Sequence, residues 1–320
     1  MKKISLLAIG ILSAFALQAQ DHTDALRYSE TFAEGNARFM AMGGATTVLG
    51  ANVGSMSVNP AGSAVFKKNV VELSPSYQYT KSENYFSGYD RAFASKVKLP
   101  CFGIVGYKAL KQNAVFVSGL TYGFALNAQN RYDETIQYTA KNASSSLTDD
   151  FVRLSNNNSW YDDYNTLAYN AYLIDPVYAA DSSVLGYASD FYSGGVGTYG
   201  QYQDMSIERA GVKREYLFNF GVDFTEWVFV GADLVFENVY YKENKRITEK
   251  DKNGTFPYLS DYTYSTQLDV VGHGVGGKFG AIVRPIEYIR LGVALHTPIK
   301  YNVSEEYDAF VAANYDQDIT

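Results

Sequence analysis

The sequence predicts an all-β protein, specifically a transmembrane antiparallel β-barrel. Three observations support this: segments that alternate with a period of two, an amino terminus suited to export, and a composition rich in tyrosine, phenylalanine and glycine. The clearest alternation lies in residues 289–295, where leucine and valine share one face while Arg290 and Gly292 lie on the other. Such a strand fits lipid on one side and a polar lumen on the other. A soluble sandwich also alternates, with its apolar face in the core.

The amino terminus favours the membrane interpretation. Two lysines follow Met1, and the apolar run Ile4–Leu17 is too short and too near the start for a spanning helix. Small Ala19 marks a cleavage point, so residues 1–19 are predicted to be a signal peptide. No later run reaches the roughly 20 apolar residues of a membrane helix. A membrane location therefore requires a barrel, and we expect the bacterial outer membrane.

Composition and charge narrow the class of protein. The chain holds 28 Tyr, 19 Phe and 27 Gly, and its mean hydropathy is -0.19 although 47% of its residues are apolar. Such near-neutral hydropathy is expected when only alternate residues meet lipid. A net charge of -7 argues against binding to nucleic acid. A single cysteine, Cys101, excludes an intramolecular disulfide.

Residues 20–68 are rich in glycine and alanine without sustained alternation, and residues 69–320 are predicted to hold the barrel strands. Seven strands are predicted, near residues 71–79, 96–107, 116–124, 218–224, 228–236, 275–283 and 289–295. The turns after the second, fourth and sixth are short. Long loops are predicted at 81–95, 127–208 and 244–262, with a short helix at Asn165–Leu173. This asymmetry is typical of outer-membrane barrels, whose strand number is even, so seven strands indicate one piece of a longer protein.

Two segments carry a family resemblance. Phe32–Ala45, followed by Asn59-Pro60-Ala61, resembles the amino-terminal region of the FadL/TodX family of outer-membrane transporters for hydrophobic compounds. Gly272–Tyr301 is similar to a second family passage, and the Tyr- and Asn-rich loops look like those of a Bacteroidetes-type member. The resemblance implies a fourteen-stranded barrel, of which this chain is the first half, plugged by residues 20–68 as a hatch.

The function implied by this resemblance is passive uptake of hydrophobic or amphipathic small molecules, such as long-chain fatty acids, without a cofactor, metal or catalytic residue. The expected partners are the hydrophobic ligand and outer-membrane lipid. Such a ligand needs an apolar slot and donors for its head group. The candidate ligand-binding residues of hatch and lumen are Phe32, Arg38, Phe39, Met40, Met42, Asn59, Pro60, Lys278 and Arg290. The candidate capture residues in the largest loop are Trp160, Tyr161, Tyr164 and Tyr169. Gly43-Gly44 and the Pro60 region are hypothesised to let the hatch shift.

Purely structural roles are open for the same residues. The loop tyrosines can pack at an interface, Phe39 and Met42 can seal the plug, and Asn59 can cap a turn before Pro60. Arg38 can pair with lumen carboxylates, for which Asp223, Asp233 and Glu237 are the candidates, and Lys278 and Arg290 can balance acidic groups.

Two other functions compete with uptake. One is a PorV-like barrel in protein secretion, which would bind a protein partner at the extracellular loops. The other is an outer-membrane hydrolase. His273 falls on the predicted lipid face, but no serine can be placed beside it, and no nucleophile elbow occurs in the sequence. We therefore expect no enzymatic activity.

Overall fold

The computed structural model describes residues 22–32, 34–85, 89–110, 116–141, 144–189, 191, 200–252, 254, 256 and 258–316. The protein is mostly antiparallel β-sheet, with 60% strand and 14% helix, which confirms the all-β expectation. The predicted signal peptide lies outside the described residues. Within these ranges, every helix is too short or too polar to cross a membrane.

Eleven strands and several short helices make up the described chain. The strands are β1 (Val70–Asn84), β2 (Asp90–Ala109), β3 (Gly119–Arg131), β4 (Glu134–Ala140), β5 (Asp175–Tyr178), β6 (Val184–Ala188), β7 (Tyr202–Phe224), β8 (Val228–Lys250), β9 (Leu259–Ile286), β10 (Ile289–His296) and β11 (Lys300–Tyr315). The α-helices are α1 (His22–Ser29), α2 (Ala37–Ala41), α3 (Leu147–Asn156) and α4 (Asn165–Asn170). Two 3-10 helices, η1 (Gly54–Ser57) and η2 (Pro60–Val65), precede β1.

The main sheet has seven strand positions, in agreement with the seven predicted strands. Its order is β1-β2-β3-β7-β8-β9-β10. β4 continues the line of β3 along β7, and β11 continues the line of β10 along β9. Pro298 lies in the break between β10 and β11, where a residue without an N–H fits. β5 and β6 form a separate hairpin.

The strands are longer than predicted, so the predicted loops 81–95 and 244–262 are wrong. β1 and β2 stay paired up to Asn84 and Asp90, and β8 runs to Lys250. From Lys242 to Lys250, β8 carries charged residues on both faces and no longer alternates, yet it stays paired with β7 and β9. The predicted loop 127–208 is wrong in part, because it contains β4, the β5–β6 hairpin and the start of β7. The helix predicted at Asn165–Leu173 is present as α4.

The two faces of the main sheet differ sharply. The N-terminal segment (residues 34–68, with α2, η1 and η2) packs on one face, here called the covered face; the opposite one is the open face. Open-face side chains of residues 216–224, 228–236 and 275–283 are apolar or glycine, and we call these three stretches the apolar band. They lie in register, because Phe224 opposes Val228 and Val228 opposes Val283. The alternation predicted for these strands is confirmed.

Candidate functional site

Glycines on the covered face make room for η2. Gly221, Gly231 and Gly280 stand side by side across β7, β8 and β9. A Cβ at Gly231 would collide with the backbone of Pro60, and one at Gly280 would collide with the Asn59 side chain. Glycine therefore allows the backbone of η2 to lie directly on the sheet.

Asn59 fixes the start of η2 to the sheet. Its Oδ1 accepts a hydrogen bond from the backbone N–H of Ala61 at 3.0 Å, which confirms the predicted cap. Its Nδ2 donates to the carbonyl oxygens of Thr47 at 2.8 Å and Ala281 at 3.3 Å. An asparagine amide offers both a donor and an acceptor, so this one buried side chain can hydrogen-bond to η2 and to the sheet at the same time.

Basic residues of the sheet bind backbone carbonyls of the N-terminal part of the chain. Lys278 Nζ donates to the Ser57 carbonyl at 2.7 Å and also contacts buried Glu215. Arg290 donates to the Leu49 carbonyl at 2.9 Å. Ligand binding by Lys278 and Arg290 stays a prediction; their observed partners include the N-terminal segment and, for Lys278, an acidic group.

The three acidic residues considered as partners for Arg38 each have another partner, although the buried Oδ2 of Asp233 has none within the described residues. Asp223 binds Lys67 at 2.5 Å, Asp233 accepts from Asn219 at 2.5 Å, and Glu237 pairs with Lys213 at 3.4 Å. Burial lowers the pKa of Lys67, but the hydrogen bonds to Asp223 and Glu226 outweigh it and raise that pKa above its ordinary value. None of these observed contacts involves Arg38, so the pairing suggested between Arg38 and these carboxylates is not found among the described residues.

The hatch residues proposed for the ligand do not converge. Arg38 and Met40 are exposed, and Arg38 takes part in no ion pair within the described residues. Phe39 is buried against Gly35 and Gly54, and Met42 is half-buried. Phe39 thus packs as a plug residue would, while Arg38 points to the surface.

Phe32 lies elsewhere, in a cavity of about 490 Å³ that we call the α1 cleft. Leu26 and Tyr132 add apolar surface, and the ring of Tyr241 lies 4.1 Å from the guanidinium carbon of Arg27. The residue range 130–134 forms the opposite side, just beyond the point where the pairing of β2 with β3 ends. The cleft therefore combines apolar surface with three arginines and three carboxylates, those of Glu30, Asp133 and Glu134, beside a gap in strand pairing.

Arg131, which lines the α1 cleft, has a buried N–H donor without a hydrogen-bond partner within the described residues. Its side chain is 8% exposed, and its Nε donates to Glu34 at 2.5 Å. Its Nη2 is buried and lacks a hydrogen-bond partner within the described chain. By contrast, Arg209 binds Glu134 at 2.8 Å and Glu243 at 2.6 Å. A buried unsatisfied donor costs about 1–3 kcal/mol, so an acceptor supplied by a ligand would be stabilised there.

Arg131 is not among the predicted site residues, because it lies inside the predicted loop 127–208. The run Asn127–Arg131 contains four polar residues and shows no clean alternation, since a bulge shifts the register after Ala128. Only the contact with Glu34, 97 positions earlier, reveals that the guanidinium is buried.

The capture residues belong to a small aromatic layer around α3, α4 and the β5–β6 hairpin. Trp160, Tyr169 and Tyr187 are mutually perpendicular, with ring centroids 5.1–6.1 Å apart. Rings this close touch one another and leave no space between them for a ligand, although Trp160 and Tyr169 keep exposed edges. Tyr161 is exposed.

Tyr164 has a structural role in this layer. Its ring packs against Phe151 at 4.7 Å and Tyr264 at 5.5 Å, and its hydroxyl donates to Asp150 at 3.0 Å. Burial raises the pKa of Tyr164, and the hydrogen bond to Asp150 adds to that effect. Of the four proposed capture residues, the other three are the ones available at the surface.

Comparison with known proteins does not supply a family. No protein-family model matches the chain, and no curated protein matches it. A solved structure described as "Asymmetric conductivity of engineered proteins" is 9% identical, with 76% of this chain and 100% of that chain covered. Its TM-score of 0.11 is too low to carry an argument about fold or function.

Proposed function

We propose that this chain forms part of an outer-membrane β-barrel for passive uptake of hydrophobic or amphipathic small molecules such as long-chain fatty acids. The observation that carries the membrane location is inverted burial. On the open face Phe220, Leu234 and Phe279 are 52%, 51% and 56% exposed, whereas on the covered face Asp223, Asp233 and Lys278 are 1%, 5% and 5% exposed. A water-soluble protein rarely exposes so continuous an apolar surface while burying its charges.

The height of the apolar band supports the same location. It is nine residues long on each strand, at 216–224, 228–236 and 275–283. At about 3.4 Å per residue and a tilt near 40°, nine residues span roughly 23 Å, close to the ~25 Å band of known outer-membrane barrels. Further along β8, Lys242 follows Tyr240 on the same face. The outer parts of the strands would thus project into water.

The N-terminal segment would act as the plug of this barrel. It packs on the covered face of the sheet and is hydrogen-bonded to it through Asn59 and Lys278. The sheet ends at β1 and at the line of β10 and β11. In the proposed fourteen-stranded barrel, seven further strands would complete the wall between those two ends.

The α1 cleft would receive the head group of an amphiphile. Its volume lies in the usual range for small-molecule sites, about 300–1,000 Å³. A carboxylate would bind the guanidinium of Arg131, which lines the cleft, and the acyl chain would lie against Leu26 and Phe32.

The test is uptake of labelled long-chain fatty acid through outer-membrane vesicles that contain the natural full-length protein. Arg131→Gln removes the charge and is expected to lower uptake about tenfold, as loss of one charge-assisted hydrogen bond predicts. Arg153→Gln is the control, because Arg153 is an exposed arginine of α3 whose ion-pair partner is Asp150. Equal uptake by the two variants would remove Arg131 from the mechanism.

A PorV-like role with a protein partner has one observation in its favour. The β5–β6 hairpin exposes Val177, Tyr178, Val184 and Leu185 together at the surface. If the correctly folded unsubstituted protein takes up no fatty acid, the fatty-acid proposal fails and this surface becomes the leading site for a partner.

A further inference from the structure

A row of polar residues crosses the open face just beyond the apolar band. Arg214 on β7 opposes Asn238 on β8, which opposes His273 on β9, which opposes Asn302 on β11. Nδ1 of His273 lies 3.0 Å from Oδ1 of Asn238. We call these four residues the polar row. It interrupts the open face, since Phe236 lies before it and Tyr240 after it on β8.

The polar row lies at the level of lipid head groups if the apolar band spans the membrane. Asn238 is two residues beyond Phe236, the last apolar position of the band on β8. Tyr240, 47% exposed, follows on the same face, and tyrosine is common at membrane interfaces. The row is therefore near the boundary on the side opposite the short turns, where a head group and the first part of its acyl chains would lie.

The positive charge of Arg214 has no acidic partner within the described residues. Arg214 takes part in no ion pair within the described residues, and its Nε is buried there without a hydrogen-bond partner. Lys300 lies opposite Val275, level with the last row of the apolar band. Asp269 on β9 and its neighbour Glu306 on β11 lie four residues further out than His273 and Asn302, roughly 13 Å away by strand rise. Asp269 is already bound to Lys242 at 3.2 Å.

We propose that the polar row binds the phosphate group of a lipid in the outer leaflet of the membrane. Arg214 would supply the charge and planar donors that suit phosphate oxygens, with the amide donor of Asn238 on the neighbouring strand beside it. The acyl chains would lie on the band side, against Phe236 and Val275. This inference rests on the membrane placement of the proposed function but not on its cargo.

Native mass spectrometry of the detergent-solubilised full-length protein tests the proposal. The probes are monophosphorylated lipid A and the same lipid without its phosphate. The phosphorylated form is expected to bind about tenfold more tightly, and Arg214→Gln is expected to abolish that preference. Lys242→Gln, which removes the same charge from the same face, should keep it, because Lys242 is paired with Asp269.

Several results would overturn the polar row as a lipid site. These are equal binding of both probes, an unchanged preference in Arg214→Gln, or an equal loss in Lys242→Gln. Displacement of the lipid by excess inorganic phosphate would also overturn it, since the site would then be one for a free anion. Fatty-acid uptake by Arg214→Gln separates the two proposals, because Arg214 faces away from the α1 cleft. If Arg214→Gln still takes up fatty acid but no longer prefers the phosphorylated lipid, both proposals are supported. If the unsubstituted protein binds that lipid but takes up no fatty acid, only the lipid site at the polar row is supported.

Discussion

Leu234→Lys on the open face should destabilise the protein strongly if that face meets lipid. Leu234 is 51% exposed and lies one row from the middle of the apolar band, where Ala232 opposes Phe279. Two residues of a strand tilted near 40° correspond to a depth of roughly 5 Å from the midplane. A lysine near the midplane of a barrel costs about 2–4 kcal/mol, so we expect about 2 kcal/mol or more at this depth. In water the same substitution at an exposed site would change stability by about 0.5 kcal/mol or less.

The measurement is reversible denaturant unfolding of the full-length protein in lipid vesicles, with Asn244→Lys as the control. Asn244 lies on the same face of β8, ten residues further out and beyond Lys242. The free energy of unfolding should fall for Leu234→Lys and stay almost unchanged for Asn244→Lys. Similar small effects for both variants would refute the inference that inverted burial reflects a lipid environment.

Two further substitutions test how the N-terminal segment is seated. Gly231→Ala should lower the free energy of unfolding by about 1–3 kcal/mol because its Cβ would collide with Pro60, whereas Gly277→Ala should be tolerated since the nearest atom to its Cβ is 3.5 Å away. Lys278→Met should cost about 3–5 kcal/mol by leaving buried Glu215 uncompensated, and Glu215→Gln in the same chain should recover most of that loss. Thermal or denaturant melts measure both, and a Gly277→Ala cost equal to that of Gly231→Ala would contradict the steric argument.

Much of the sheet could be predicted because the apolar band has a period of two that only a strand satisfies. Apolar residues or glycine occupy every second position over nine residues of each strand, and polar residues such as Asp233 and Lys278 occur only on the other face, which fixes both the strand and its orientation. The outer strand regions could not be predicted in the same way. At Lys242 and beyond, both faces are polar, so pairing is decided by neighbouring strands rather than by hydrophobic alternation.

The candidate site was harder to predict, because basic residues of similar appearance have different surroundings. Lys278 and Arg290 are bound to backbone carbonyls of the N-terminal segment, whereas the buried Nη2 of Arg131 lacks a partner in the described structure. The residue type shows that a guanidinium can bind a carboxylate, but only the tertiary contacts show which guanidinium keeps N–H donors without a hydrogen-bond partner. Asn59 was predictable as a cap from its local sequence; its hydrogen bond to Ala281 was not.

These contacts bear on how a ligand could pass the N-terminal segment. The Pro60 region, hypothesised to move, is the most firmly seated part, since Pro60 lies on Gly231 and its carbonyl accepts from Asn219 at 3.1 Å. Neutral hydrogen bonds such as those of Asn59 and Asn219 contribute about 0.5–1.5 kcal/mol each, and the charged one from Lys278 to Ser57 contributes about 1.5–3 kcal/mol. Breaking them together would therefore cost a large share of the stability of a typical domain, about 5–15 kcal/mol. Gly43 and Gly44 differ: both have positive φ, near 60° and 77°, and lie at or near the surface. In the proposed transporter, a local change at this pair, with the Pro60 region held in place, would therefore be the less costly way to open a path.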